Sequence, residues 1–213
     1  MSILEWFNSE PARRFRVDML GHKPVSACRR CYVDESHDGD SRRLRSNQKS
    51  VIFTRTAFKH SFDQSPGYRN FLYSDWYHGQ TLTHPIDIHV DLGNFCNLAC
   101  KMCNPRASST IASQHVKWGI ESSRQYLGTD WTRDSGVWQS FLQQLLEIPD
   151  LNNIHFMGGE TLLTDRFEDL VDTMLAAGRT DLCFSFVTNG TVYKPGLISK
   201  LSDFRRVGIE VSI

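Results

Sequence analysis

The chain has 213 residues, with 24 Lys+Arg against 24 Asp+Glu and therefore no formal net charge. Its hydrophobic fraction of 40% and charged fraction of 23% are those of an ordinary folded chain, which excludes wholesale disorder and collagen-like repeats. No apolar run approaches the roughly 20 residues that span a bilayer, and Glu5, Asn8, Glu10, Arg13 and Arg14 break up any leader-like stretch at the N-terminus.

In chain order, residues 3–20 read as helix, with Ser9 as a cap, Pro11 at a first-turn position and Gly21 as a stop. A short turn over 3–8 followed by a helix over 10–20 is the alternative. Residues 22–50 are polar and turn-rich, and 51–83 mix aromatics with Gly and Pro without a clear period. From residue 84 the pattern becomes regular. Ile86 to Leu92 alternates apolar and polar residues, a strand signal. A cysteine-rich loop follows, then an expected helix over about 106–126. A second helix is expected over 135–148, where Val137, Phe141, Leu142, Leu145 and Leu146 recur at helical spacing. Ile154 to Met157 reads as a strand ending in Gly158-Gly159. Leu162, Leu163, Phe167, Leu170, Val171, Met174 and Leu175 form the apolar stripe of a helix stopping near Gly178. Strands are expected over 182–187 and 207–213, with a short helix over 195–203 between them. Strands alternating with helices predict parallel β/α units, with function gathered in the loops after the strands. Three polar or glycine-rich features fall there: the loop after 92, Gly158-Gly159-Glu160, and Thr188-Asn189-Gly190.

Six cysteines occur, five of them in two tight groups: Cys28 and Cys31, then Cys96, Cys100 and Cys103. Disulfide frameworks belong mostly to small secreted domains, whereas clustered cysteines in a larger chain without an export signal point to metal or redox chemistry. Cys183 stands in an apolar run and reads as a small core residue. The x3-x2 spacing of Cys96, Cys100 and Cys103 gives three thiolates on one loop, enough for three irons of a [4Fe–4S] cluster with one iron left open. Zinc normally takes four donors, and none stands at zinc spacing here; a dithiol pair of Cys100 and Cys103 would leave Cys96 idle.

Charge is unevenly spread. Residues 1–60 hold 12 Lys/Arg against 7 Asp/Glu, a net of +5, which the remainder cancels. Arg13, Arg14, Arg16, Arg29, Arg30, Arg42, Arg43 and Arg45 crowd the front. Acids intersperse the run and no nucleic-acid motif accompanies it, so a solvated face or contacts to an acidic partner are preferred over a nucleic-acid stripe.

The x3-x2 cysteine motif, with Met102 before its last cysteine, resembles the signature of the radical S-adenosylmethionine (SAM) superfamily. Met157-Gly158-Gly159-Glu160 is similar to that family's Gly-Gly-Glu motif after the second strand. Thr188-Asn189-Gly190 resembles its third-strand motif, and Val211-Ser212-Ile213 the start of its fourth-strand motif. The resemblance implies that Cys96, Cys100 and Cys103 hold a [4Fe–4S] cluster whose open iron chelates SAM. It implies that Gly158, Gly159 and Glu160 meet the ammonium group, that Asn189 and Ser212 reach the ribose or carboxylate, and that the Met102 backbone lies near the adenine. The implied reaction is reductive cleavage of SAM, with an electron from an external donor, to a 5′-deoxyadenosyl radical that abstracts hydrogen from a substrate. Glu5 to Glu10, Arg16, Gly21 and Cys28-Arg29-Arg30-Cys31 resemble part of a SPASM/twitch auxiliary-cluster domain. Relatives of that kind often modify peptides or proteins, so a peptide or protein substrate is implied. Cys28 and Cys31 alone under-ligate a cluster; a zinc site completed by Glu35 or His37, or a plain reducible pair, stays open.

The expected fold class is therefore α/β: a partial parallel (β/α) barrel of about four of six units, preceded by an irregular, α-containing segment. The expected organisation is a partial auxiliary-cluster segment over 1–50, a connecting region over 51–83 and an incomplete radical SAM core over 84–213. Because the sequence stops inside a strand-like run, truncation at the C-terminus is expected. A cytoplasmic, membrane-free location is expected, with nucleic acid a disfavoured partner. The rivals are a non-enzymatic iron–sulfur electron carrier and a zinc-structured module binding nucleic acid.

Overall fold

The structure, a computed structural model, describes residues 1–20, 23–41, 43–44, 84–128, 130–149 and 151–212. The aromatic-rich stretch 51–83 lies outside the described residues, as does Gly21. The chain divides into two units, Met1–Pro85 and Ile86–Ile213.

In the first unit the N-terminal sequence forms two helices, α1 (Ile3–Phe7) and α2 (Glu10–Leu20), the division given as the alternative to one helix over 3–20, with the short turn formed as helix. Ser2 and Glu5 make a reciprocal capping box that starts α1. Asn8 then closes it, and the Arg16 side chain returns from α2 to donate to the Phe7 carbonyl at 2.7 Å while stacking 3.9 Å over the Phe7 ring. The polar segment read as turn-rich contains a further helix, α3 (Arg29–Asp38), which starts at Cys28 and stops at Gly39 in the left-handed conformation (φ 67°). Several arginines of the basic segment have acidic partners within the unit: Arg14 with Asp18, Arg30 with Asp34, and Arg43 with Glu35.

The second unit is built on a four-stranded, wholly parallel sheet in the order β1 (Asp87–Asp91), β2 (Asn153–Met157), β3 (Cys183–Thr188), β4 (Arg206–Val211). The fold class is α/β, as expected. Each crossover is helical: α4 (Ser109–Lys117) and α5 (Ser135–Leu146) between β1 and β2, α6 (Asp165–Ala176) before β3, and α7 (Pro195–Leu201) before β4. The helix expected over 106–126 is shorter. Ser108 caps α4 at Ile111 N, Trp118 ends it, and Gly119 (φ 82°) turns the chain into a 3-10 segment over Glu121–Tyr126. The stripe from Leu162 likewise begins as a 3-10 turn, Thr161–Leu163, because Thr164 caps α6 at Arg166 N.

One face of the sheet carries the core. Val90, Ile154, Phe156, Phe184 and Phe186 are buried with Phe167, Leu170, Val171 and Met174 of α6 and with Trp138, Leu142 and Leu145 of α5. Phe167 sits 4.8 Å from Phe156 and 5.0 Å from Phe186, centroid to centroid, so α6 is keyed into β2 and β3 by aromatic edges. The fully buried Trp138 donates its indole N–H to Asp169 at 2.6 Å, tying α5 to α6. Among the described residues no helix is long and apolar enough to cross a membrane.

Candidate cofactor site

All three sequence-expected features meet at the C-terminal edge of this sheet. The loop after β1 is anchored at its root. Asn94 is buried and donates from Nδ2 to the carbonyls of Pro105 (3.0 Å) and Tyr126 (2.8 Å). Thr110 Oγ1 donates to Cys96 O (2.6 Å), Ser109 Oγ accepts from Cys96 N (3.2 Å), and Ser108 Oγ donates to Leu98 O (2.8 Å). The N-terminal turn of α4 therefore grips the first half of the cysteine loop. The tip is different: Cys100 and Met102 are exposed, Met102 to 93%, and a Cys103 N to Cys100 O turn (2.9 Å) joins the last two cysteines.

Gly158 and Gly159 are required where they stand. Both have positive φ (86° and 55°). A Cβ on Gly158 would come within 2.8 Å of Gly93 O and closer still to Asp91 Oδ1, and one on Gly159 would collide with Phe95 O. The glycine pair lets the end of β2 press against the cysteine loop, and Glu160 N donates to Phe95 O at 2.8 Å across that contact.

Glu160 is 2% exposed. Its carboxylate accepts from Leu162 N (3.1 Å), Thr188 Oγ1 (2.6 Å) and Asn189 N (2.5 Å). It thus links the end of β2 to the turn after β3. Asn189 continues the chain of contacts: its Nδ2 donates to Asn97 Oδ1 at 3.0 Å and lies 3.8 Å from the Cys96 sulfur. Asn97 Nδ2 donates in turn to Thr191 Oγ1 (2.8 Å). Ser212 is placed beside this network, its N–H donating to Thr188 O at 2.8 Å. Cys96, Gly158, Gly159, Glu160, Asn189 and Ser212 are therefore brought to one edge, whereas the Met102 side chain points into solvent on the tip. A cleft of about 200 Å³ opens beside Gly158 and Glu160, with Gly93, Phe95, Asp130, Arg133 and Leu163 also in its wall; Cys96, Asn189 and Ser212 do not line it.

Sequence reasoning missed Thr188 as a carboxylate partner, Asn97 as the bridge between the loops, and the Ser108-Ser109-Thr110 grip. The last was legible as three consecutive hydroxyl residues at a helix start.

All six cysteines are free thiols. Among the described residues no three His, Cys, Asp or Glu side chains converge as a metal-ligating group. The donor set of the loop nonetheless fits an iron–sulfur cluster: three unpaired thiols within eight residues, one anchored and two at an accessible tip. The N-terminal pair fits less well. Cys28 precedes the first turn of α3 and Cys31 lies within it, but Glu35 is engaged with Arg43 and Ser41, and His37 Nδ1 lies 2.8 Å from Val33 O. The Arg43 and Ser41 hydrogen bonds hold the Glu35 carboxyl below its ordinary range. In this structure Glu35 and His37 Nδ1 are engaged within the unit and are not grouped with the two cysteines.

The model of the radical SAM superfamily matches residues 90–213, more than half of the chain and all of its sheet except the first three residues of β1. No curated protein and no solved structure matches the chain. The matched span begins in β1, contains the cysteine loop, the glycine pair and the turn after β3, and holds them on a parallel sheet: the chain belongs to the radical SAM superfamily.

Proposed function

We propose that the protein is a radical SAM enzyme in which Cys96, Cys100 and Cys103 hold a [4Fe–4S] cluster. The observation that carries this reading is the steric one: Gly158 and Gly159 bring the end of β2 against the loop that bears the three free thiols. Held by these three thiolates, the cluster would supply reductive SAM-cleavage and hydrogen-abstraction chemistry, given an electron from an external donor, toward a substrate that is a peptide or protein by analogy with auxiliary-cluster relatives. The chain's own residues bind and orient. Gly158 presents backbone to the cleft without a side chain, the Glu160 carboxylate in its wall fixes the turn after β3 and would meet the ammonium group, and Asn189 and Ser212 offer polar groups at the same sheet edge. Met102 places its backbone on the loop tip that adenine would approach. Cys28 and Cys31 are read as part of an auxiliary-cluster segment over 1–50, supported by the resemblance of that stretch, with two donors only.

Anaerobic reconstitution with iron and sulfide, followed by EPR of the reduced protein with and without SAM, tests the reading. A reduced-cluster signal that shifts on SAM addition is the expected result. A cluster indifferent to SAM points to an electron carrier, and bound zinc without a cluster overturns both.

A further inference from the structure

Along its Nε–Nη2 edge a guanidinium offers two parallel N–H donors, a fork that matches a carboxylate. Two arginines of the chain fill that fork. Arg43 donates from Nε to Glu35 Oε1 (3.0 Å) and from Nη2 to Glu35 Oε2 (2.6 Å). Arg124 donates from Nε and Nη2 to the Glu121 carboxylate at 2.8 and 3.1 Å. Arg16 of α2 is different. Its Nη1 donates to Phe7 O and its guanidinium stacks on the Phe7 ring, but Nε and Nη2 are shut off from solvent and meet no hydrogen-bond partner among the described residues. No other buried side-chain nitrogen or oxygen among the described residues is left in this way. A buried donor without an acceptor is costly, and more so on a charged group.

The charge around Arg16 is uncompensated as well. Arg13 stands one turn earlier on α2, at the i,i+3 spacing that brings side chains together; it is exposed and has no acidic partner among the described residues. The acids of the two helices are engaged elsewhere or stand apart. Glu5 belongs to the capping box, Asp18 pairs with Arg14 (3.9 Å) and Lys23 (3.4 Å), and Glu10, in the first turn of α2, makes no ion pair with either arginine. Burial, then the Arg13 charge, holds the Arg16 guanidinium below its ordinary value, whereas the Glu35 hydrogen bond raises Arg43 above its own. Apolar side chains are exposed on the same two helices: Trp6 (60%), Phe15, Val17 and Met19.

We propose that the Nε–Nη2 edge of Arg16 is a binding site for a carboxylate, an Asp or Glu side chain carried by a polypeptide segment, with Arg13 as the second cation. The precedent of Arg43 and Arg124 sets the carboxylate as the anion. The exposed apolar side chains set a polypeptide as its carrier, because a free carboxylate leaves them uncovered, whereas the residues flanking an Asp or Glu reach them. A carboxylate enters in the guanidinium plane, so the Phe7 ring on the face stays in place. Because the edge is closed to water, admission goes with a shift of the five-residue α1 on α2 and is felt at Trp6. The site uses neither cluster nor SAM and stands independently of the radical SAM reading.

The test uses the full-length chain with isotope-labelled arginine. The Arg16 Nε–H NMR signal, identified by its loss in R16K, and the Trp6 indole signal are followed during titration with acetyl-Leu-Glu-Leu-amide. The glutamine counterpart of that peptide, sodium acetate and inorganic phosphate are titrated alongside. The glutamate peptide is expected to shift both signals saturably and the glutamine peptide to leave them in place, with acetate and phosphate binding about tenfold more weakly than the glutamate peptide. R13Q, at an exposed position, weakens peptide binding about threefold. R16K, which keeps the charge and loses the fork, weakens it about tenfold at the Trp6 signal. Where R16K loses its fold, R13Q and the ligand series decide at the same signal. No saturable shift with the glutamate peptide, equal binding of the glutamine peptide, acetate or phosphate as tight as the peptide, or wild-type affinity in R13Q each overturn the proposal.

Discussion

Replacing Glu160 separates a structural brace from a cofactor contact. Its carboxylate is buried and accepts three hydrogen bonds, from Leu162 N, Thr188 Oγ1 and Asn189 N. A buried donor left without a partner costs about 1–3 kcal/mol. In E160A three donors lose their acceptor; the Thr188 hydroxyl can rotate toward another, so the loss is about 3–5 kcal/mol. E160Q keeps the shape but turns one oxygen into an N–H that must face a donor, and costs about 2 kcal/mol. Against a total stability of about 5–15 kcal/mol, E160A falls near the limit of folding, and E160Q is the informative variant. Urea unfolding without cluster or SAM, followed by tryptophan fluorescence and circular dichroism, measures it. The transition midpoint of E160Q should drop with an unchanged slope. A midpoint shift equivalent to less than about 0.5 kcal/mol would refute the brace, since it would mean that the three contacts exchange with water at no cost.

Other expectations are independent of that one. G159A places a methyl against Phe95 O at φ 55°, so overpacking of about 1–3 kcal/mol adds to about 1–2 kcal/mol of left-handed strain; its thermal midpoint should fall below that of a surface Ala control. C96A, C100A and C103A should each abolish iron retention after reconstitution, measured as iron and sulfide per chain, while C183A retains wild-type iron. W138F removes the indole donor to Asp169 and should destabilise by about 1–3 kcal/mol in the same urea assay. The pH dependence follows from His155, whose folded-state value burial, then the His89 ring, hold below the ordinary 6.5. The unfolded chain then binds more protons, so stability contributed by this group is present above about pH 6.5 and is lost as pH falls through that value toward the depressed one. H155Q should flatten the slope of stability against pH in that window.

Legibility followed periodicity. The strands and the helices α5 and α6 were readable because period-two and period-3.6 patterns leave a strong mark where one face meets a core, as at Val90, Phe156 and Phe167. Helix ends were less so. Gly119 and Ser108 shortened the helix after the cysteine loop, and the break at Asn8 and Ser9 was legible only as an alternative division of the first helix, because caps and left-handed turns depend on single residues inside otherwise helical composition. The α3 helix hid in a polar segment whose exposed faces carry no apolar stripe, and is sustained by local pairs such as Arg30–Asp34. At the site, the glycine pair and the cysteine spacing were visible as motifs, but the reason for the glycines was not: the Phe95 and Gly93 carbonyls that forbid a Cβ come from a loop more than sixty residues earlier. The same holds for the polar side chains on the sheet face opposite the core. His89, His155 and Ser185 each fit the alternation of their own strand, and only the register between strands places them in line.

The uneven anchoring of the cysteine loop has a consequence for how a metal would be acquired. Cys96 is held through its own N–H and carbonyl by Ser109 and Thr110, whereas Cys100 lies on an exposed tip. Immobilising backbone costs about 1–2 kcal/mol per residue, and at Cys96 that entropy is lost when the chain folds. What remains falls on the short stretch 99–103. Chelation would then have a fixed pivot and a closing arm: iron captured at Cys96 would raise the effective concentration of the two tip thiols, and the affinity of the site would depend on the stiffness of the five residues 99–103.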